Sequence, residues 1–453
     1  MGTRPAAEAE KVPGQSADAT YPAEVQRNLE FLAEHRVWHI VSQNPPVRSC
    51  PDAAARRLRL GHEGIPLFDE LKSALGVSES SVGRRYVAVH CRGHQRLDEE
   101  KLANLLGAPF RRLGTTELSE TFSAHKGLVN PFGLARRGQI QQVFDESVVQ
   151  RYFPPYTMMT NIGDLNYGVE FHAAEVIAAL DAVIADVVEE RGRRVPKEHK
   201  IGILTGNSPE SGILLWEWIN SRIRDHPKVF RGDFSFPTVF IESAPGMGLS
   251  MELAMRESAV RPIVLDGVNR LCLSGATVIG IACNTTQYFA REISDLCHKH
   301  GAQFVSTADE TALYLRREQI ESFDFLGIGA VSDFGNWSGY GPALRDFNAT
   351  IPSEASRSKI DELAYYVKKE GVTGKTVTLL RDLIQAAKSD VVVLALTELS
   401  IVYASQKKTR KSQKRVIDTL EILANRMANI CVQEYLAVLE GIEQDKESDS
   451  TQS

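Results

Sequence analysis

Gly280-Ile281-Ala282-Cys283-Asn284-Thr285-Thr286 closes an apolar run and sets one cysteine ahead of three small polar residues. The run from Gly275 to Ala282 predicts a buried parallel strand. Gln287 to His300 predicts a helix, since Phe289, Ile293, Leu296 and Cys297 recur at helical spacing. Cys283 therefore falls at the carboxyl end of a strand, at the mouth of a βα unit, where open α/β sheets hold ligands. The N–H groups that open the helix point at the same spot and lower a thiol's pKa from its free value of about 8.5. A thiol so placed can take up and return a proton.

Outward from this stretch, the carboxyl-terminal half alternates strands with helices. Strands are predicted at 200–204, 238–243, 276–282, 302–306, 325–331 and 391–395, with a terminal helix over 420–439. Such alternation requires an α/β fold with parallel strands, doubly wound or pseudo-duplicated. Ala282-Cys283-Asn284-Thr285 resembles the first catalytic motif of the aspartate/glutamate racemase superfamily, usually C-N-T-A. Gly202-Ile203-Leu204-Thr205-Gly206-Asn207-Ser208-Pro209-Glu210-Ser211 is similar to the family's opening strand and Gly-rich turn. Ala395-Leu396-Thr397-Glu398-Leu399 resembles its second catalytic motif, usually G-C-T-E-L/I, and Val416-Ile417-Asp418-Thr419-Leu420 its V-I-D-P/T-L. The four motifs stand in family order over residues 199–437. The resemblance implies a two-lobed, pseudo-symmetric parallel-sheet fold with the site between lobes at about 199–318 plus 420–440 and 322–415.

One departure limits what the resemblance implies. The racemases use two cysteines on opposite faces of the α-carbon, and the second position is Leu396 here. Leucine carries no proton, so chemistry from one face at Cys283 is expected: racemase-like isomerisation with another group as second base, elimination, or decarboxylation followed by protonation. Removing an α-proton also needs donors for the developing enediolate. Asn284, Thr285, Thr286 and Thr397, with backbone N–H groups at Asn207 and Ser208, are the residues for that role, and Glu398 adjoins them in the second motif. The acidic-amino-acid racemases add an arginine in the first lobe and a lysine before a glycine in the second. Lys368 or Lys369 ahead of Gly371 matches the lysine, with Lys369 carried forward as the substrate-binding residue. Pro245-Gly246-Met247-Gly248-Leu249 offers no arginine where the first is expected. Arg256 and Arg261 lie further along and read as solvated helix residues.

The first part of the chain follows another pattern, with short strands and intervening helices that suggest a compact α+β module over 21–190. Ala23 to Arg36 reads as a helix, 37–41 and 85–91 as strands, 99–106 as a helix, and 142–145 and 168–171 as strands. This module resembles the YbaK-type family, editing domains that hydrolyse mischarged aminoacyl-tRNA and occur with prolyl-tRNA synthetases. The resemblance rests on Cys50-Pro51-Asp52-Ala53-Ala54-Ala55, on Gly127-Leu128-Val129-Asn130-Pro131-Phe132-Gly133-Leu134 and on Val143-Phe144-Asp145-Glu146-Ser147. It covers about 27–180. The family's catalytic lysine opens a strand, and Lys72-Ser73-Ala74-Leu75 is the nearest match, although 68–75 reads equally as a helix segment. The resemblance implies a second activity, aminoacyl-tRNA hydrolysis, and the tRNA acceptor end as a partner beside a small carboxylate or amino acid.

At 453 residues, with 43% hydrophobic and 24% charged content, the chain has the composition of a multidomain globular protein. A net charge of −6 argues against an overall nucleic-acid-binding surface. Lys407 to Arg415 is the dense basic run and reads as a solvated loop or a phosphate contact. The remaining cysteines, Cys50, Cys91, Cys272, Cys297 and Cys431, show no C-x-x-C pair and no zinc spacing, so they read as structural and no metal is expected. Without a Walker A loop or a G-x-G-x-x-G turn, no cofactor is expected either. Residues 1–20 read as a disordered leader without the apolar core of a signal peptide, 191–197 as a linker, and 443–453 as a disordered acidic tail. A cytoplasmic location without membrane attachment is expected, and the superfamily resemblance implies a homodimer.

Overall fold

The computed structural model describes residues 21–450 apart from 60, 82, 138–139, 151–156, 191–194, 231 and 407–413, and the side chains of 443–450 are also left aside. The leader, most of the linker and most of the basic run thus lie outside the described residues. The chain divides into two compact units. One is carried by residues before 198 and the other by 198–436, apart from short pieces at 231–234 and after 436 that group with the first.

In the second unit, Lys200–Thr205 and Val278–Ile281 are apolar and buried along nearly their whole length, as interior strands of a parallel sheet are. That sheet has the order Thr238–Ser243, Lys200–Thr205, Val278–Ile281, Gln303–Phe304, and every pairing is parallel. A second four-stranded sheet runs Asn348–Thr350, Ser322–Leu326, Val391–Leu394, Arg415–Asp418, again all parallel. Both sheets follow the order second, first, third, fourth along the chain, so the lobes repeat one topology. Each has its own core, one around Ile279, Val264 and Phe289, the other around Phe325, Val393 and Leu363. The turn leaving the opening strand needs glycine: Gly206 has φ +133°, and a Cβ there would lie 2.2 Å from the Ala244 carbonyl oxygen.

Three expectations are corrected here. The strand expected over 325–331 ends at Leu326, and Gly329–Ser332 is a short helix. The apolar run continues past the strand, but Ser332 Oγ folds back to the carbonyls of Gly327 (3.0 Å) and Ile328 (3.1 Å) and closes a turn. The helix expected from Gln287 opens as a 3-10 turn, Thr285–Phe289, and becomes α-helical over Ala290–Lys299. The terminal helix runs over Thr419–Ser450, through the segment expected to be a disordered tail.

The first unit holds a five-stranded mixed sheet ordered Val183–Ala185, Ile140–Asp145, Gly83–Arg92, Leu71–Ser80, Phe110–Arg112. A three-stranded antiparallel sheet, His39–Gln43, Tyr167–Phe171, Met158–Asn161, accompanies it. Lys72 belongs to the strand Leu71–Ser80, paired to Cys91 in register, so the helical alternative for 68–75 falls away beyond the 3-10 turn Leu67–Asp69. Two short helices form as their local chemistry dictates. Asp98 caps Glu99–Leu106 by accepting from the N–H groups of Glu100 and Lys101, and Asn130 caps Pro131–Ala135 through the Gly133 N–H at 2.8 Å. Among the described residues no helix is long and apolar enough to cross a membrane.

Candidate active site

Cys283 follows the strand Val278–Ile281 by two residues and is 2% exposed. Two polar side chains reach its sulfur: the Asn207 amide Nδ2 at 3.5 Å and the Ser250 hydroxyl at 3.7 Å. The orientation of the Asn207 amide follows from its other partner. Its Oδ1 accepts from the Lys368 ammonium at 2.8 Å, which turns Nδ2 toward the thiol. Lys368 also donates to the Asn207 carbonyl, and its charge meets the Glu398 carboxylate at 2.6 Å. That contact is an ion pair by distance rather than a directed hydrogen bond, since Glu398 Oε1 lacks a hydrogen-bond partner. Thr397 Oγ1 holds the other carboxylate oxygen at 3.2 Å, and Glu398 is fully buried. A lysine of the second lobe thus spans to the turn of the first.

Behind the thiol, Asn284 Oδ1 accepts from Tyr340 of the second lobe and from Thr419 at 3.0 Å. Two hydroxyls on one carbonyl oxygen leave the Asn284 Nδ2 as the free, donating end. Burial pushes the Tyr340 phenol up, which keeps it an O–H donor. Thr286 Oγ1 and Gln287 Nε2 both donate to the Cys283 carbonyl, at 3.2 and 3.3 Å, and so hold the turn rather than the cleft. Thr285 Oγ1 is buried without a hydrogen bond.

Next to Thr419, burial pushes the Asp418 carboxyl up to about 7, despite hydrogen bonds to Oδ1 from Ser400 Oγ (2.8 Å) and the Leu420 N–H (2.9 Å). An ordinary Asp titrates near 3.9. The folded state therefore holds this proton more tightly than the unfolded chain. The associated stability is full below about pH 4 and is lost as the pH rises toward about 7. Asp418→Asn keeps the shape without the charge and should raise stability at pH 8 by on the order of 2 kcal/mol or more, with little gain at pH 4. Thermal unfolding of both proteins across that range checks this, and parallel pH profiles would refute it.

In the first unit, Lys72 lines a cavity of about 490 Å³ together with Cys50, Ser73, Arg112, Lys126 and Gly127. Its ammonium donates to the Gln95 carbonyl. Gly127, at φ +89°, brings the loop before Pro131–Ala135 to the rim in a conformation that a side chain would strain. Burial pushes the Cys50 thiol up to about 12, so it is a neutral wall of this cavity. Among the described residues no group of three or more His, Cys, Asp or Glu gathers that could hold a metal ion.

Residues 208–427 match the family model of the Asp/Glu/Hydantoin racemases, and residues 45–157 match that of the aminoacyl-tRNA editing domain. The chain carries a domain of each family. The second is similar to the aspartate racemase of Picrophilus torridus, with 21% identity, 52% of this chain and 99% of that one covered, and a TM-score of 0.43. It is also similar to an aspartate racemase homologue from Pyrococcus horikoshii OT3, at 18% identity, 51% and 99% coverage and a TM-score of 0.40. The first is similar to a candidate trans-editing enzyme for prolyl tRNA synthetase, at 21% identity, 38% and 99% coverage and a TM-score of 0.31. No curated protein matches the chain.

Within the racemase-family domain the structure gathers Cys283, Asn207, Asn284, Thr397 and Glu398 around the junction of the two lobes. Other expected residues fall elsewhere. Lys369 is a correction: its side chain is 79% exposed and pairs with Glu370, while Lys368 turns inward. Neighbours on the helix Glu354–Glu370 diverge by about 100°, so only one of them can face the cleft. Ser208 Oγ turns to Glu210 at 3.3 Å, and its carbonyl accepts from Ser211 and Thr205, so it shapes the helix start. Sequence reasoning missed Ser250, Tyr340, Asp418 and Thr419. Thr419 and Asp418 lay in a quoted motif and Tyr340 follows Trp337-Ser338-Gly339 after the second lobe's first strand, whereas Ser250 carried no local signal. Arg256 and Arg261 bind Glu252, and Glu257 with Glu292, on partly exposed surfaces. In the editing domain Lys72 stands at its cavity, on a strand as the family resemblance implied.

Proposed function

We propose that the racemase-family domain is an enzyme that moves a proton at the α-carbon of an amino acid or related small carboxylate, with Cys283 as its single acid/base. The observation that carries this reading is the thiol at a strand's carboxyl end within reach of two neutral polar groups, the donating Asn207 amide and the Ser250 hydroxyl. The thiolate takes the α-proton, the electron pair passes into the carboxylate as an enediolate, and Asn284 Nδ2 donates to the oxygen that gains charge. The same thiol then returns the proton. An NMR screen of amino acids in D₂O tests the reading, because loss of the α-proton signal reports this chemistry whatever the final product. Retention of every α-proton across the screen would refute it.

Leu396, 1% exposed, occupies the position of the second cysteine, so exchange is expected with retention of configuration or in one direction only. Leu396→Cys supplies a proton carrier on the other face and should introduce racemisation. Shortening a buried leucine costs about 1–3 kcal/mol, so the variant should still fold. Chiral chromatography of the product decides, and efficient two-way racemisation by the native protein would reveal a second base already present.

A second reading is favoured by the Lys72 cavity. The editing domain would hydrolyse aminoacyl-tRNA, with Lys72 polarising the ester carbonyl, and the tRNA acceptor end would be its partner. In that case the racemase-family domain could act as a sensor of the free amino acid.

A further inference from the structure

The Lys72 cavity carries cations that no carboxylate answers. Arg48, Arg112 and Lys126 line it and are exposed, and among the described residues none of the three forms an ion pair. The carboxylates nearest to Arg48 and Arg112 in the chain are already taken. Asp52 holds Arg56 at 2.9 Å, and Glu117 holds Arg111 through two hydrogen bonds, at 2.8 and 2.9 Å. Glu70, on the cavity wall, is bound by Arg57 in the same two-pronged way, at 3.2 and 3.0 Å. Burial pushes the thiols of Cys50 and Cys91 up, so both are neutral parts of the wall. Five cations and one carboxylate thus line the cavity, Arg57 cancels Glu70, and four positive charges remain at Arg48, Lys72, Arg112 and Lys126. The whole chain, by contrast, has a net charge of −6.

We propose that Arg48, Arg112 and Lys126 bind the phosphodiesters of a single-stranded RNA 3′ end, whose last residue enters the cavity to reach Lys72. The inference rests on the reading of this domain as an aminoacyl-tRNA hydrolase and adds the residues that hold the RNA. Exposed cations without a carboxylate partner gain most from phosphates, because binding releases the counterions condensed on the nucleic acid. The negative balance of the rest of the chain repels RNA, so attraction is focused on this one opening. The guanidinium forks of Arg48 and Arg112 suit phosphate oxygens, and Lys126 adds a point charge. Lys72 differs from these three: it is part-buried and its ammonium already donates to the Gln95 carbonyl, which places it with the terminal ester and not with the backbone. A single strand can turn its last nucleotide into a cavity of about 490 Å³, whereas a blunt duplex keeps that nucleotide paired and stacked.

The test is fluorescence anisotropy of the full chain with a labelled single-stranded RNA of the sequence of a tRNA 3′ terminus, over a series of salt concentrations. Combining Arg48→Gln, Arg112→Gln and Lys126→Gln should make the slope of log affinity against log salt shallower by about 2, since each phosphate contact on a single strand contributes about 0.7. Affinity at physiological salt should fall by about 10-fold or more. The native protein should bind a blunt duplex of the same sequence about 10-fold more weakly than the single strand. The three side chains are exposed, so the variant should fold; if it does not, the single variants decide, each expected to take about 0.7 off the slope. An unchanged slope, a duplex bound as tightly as the single strand, or no RNA binding by the native protein overturns the inference. Release of amino acid from charged tRNA together with an unchanged slope refutes the RNA site and leaves the hydrolase reading standing. The expected loss of slope without release from any charged tRNA supports the RNA site and refutes the hydrolase reading.

Discussion

Cys283→Ala should lower α-proton exchange by about 10³-fold or more, since the variant removes the group proposed to carry the proton and general acid/base catalysis contributes about 10²–10⁴-fold. The thiol is small and buried, so alanine fills most of its space and the fold should survive. Circular dichroism and thermal unfolding establish that, and deuterium incorporation measures the effect. Cys283→Ser keeps the size and the hydrogen bonds but raises the pKa far above neutrality, so it should be nearly as inactive. Exchange persisting in either variant at the native rate would remove Cys283 from the mechanism.

Lys72→Ala should reduce release of amino acid from charged tRNA by about 10²-fold or more, the scale for losing one group that stabilises charge developing on a carbonyl oxygen. Lys72 stands on the strand Leu71–Ser80 and lines the cavity, and its ammonium contacts the Gln95 carbonyl. Lys72→Arg keeps the charge but not the compact ammonium, and should recover only part of the activity. The measurement is release of radiolabelled amino acid from a panel of charged tRNAs by the full chain. Release that is indifferent to Lys72, or absent from every tRNA, would leave the cavity without the proposed hydrolytic role. Because the two proposed reactions rest on different residues in different domains, Cys283→Ala should leave this reaction unchanged.

Much of the architecture was legible because it is written at short range. An apolar run of strand length followed by Cys283-Asn284-Thr285 announces a strand end and a helix start without any knowledge of what packs around it. The strand 238–243 and the helix 99–106 were readable for the same reason: period and caps lie within a few residues. The misses follow from longer range. The run at 325–331 is apolar throughout, and only the turn closed by Ser332 shows where the strand stops. Asn348–Thr350 and Arg415–Asp418 are too short to show a period and exist because a neighbouring strand pairs with them. Lys72 carried two local readings, and pairing with Cys91 across the sheet selected one.

The amino-acid sequence by itself determined the repeated strand-helix alternation, the place of Cys283 at a strand end, and the presence of leucine where a second cysteine would stand. Those are properties of residue type and local spacing. Tertiary structure alone decided that Lys368 and not Lys369 enters the cleft, that Glu398 meets its charge, and that Ser250 and Tyr340 join the site. These contacts join residues 30 to 161 positions apart. They form because each buried polar group must find a partner once the lobes exclude water, and that requirement leaves no mark on the local pattern.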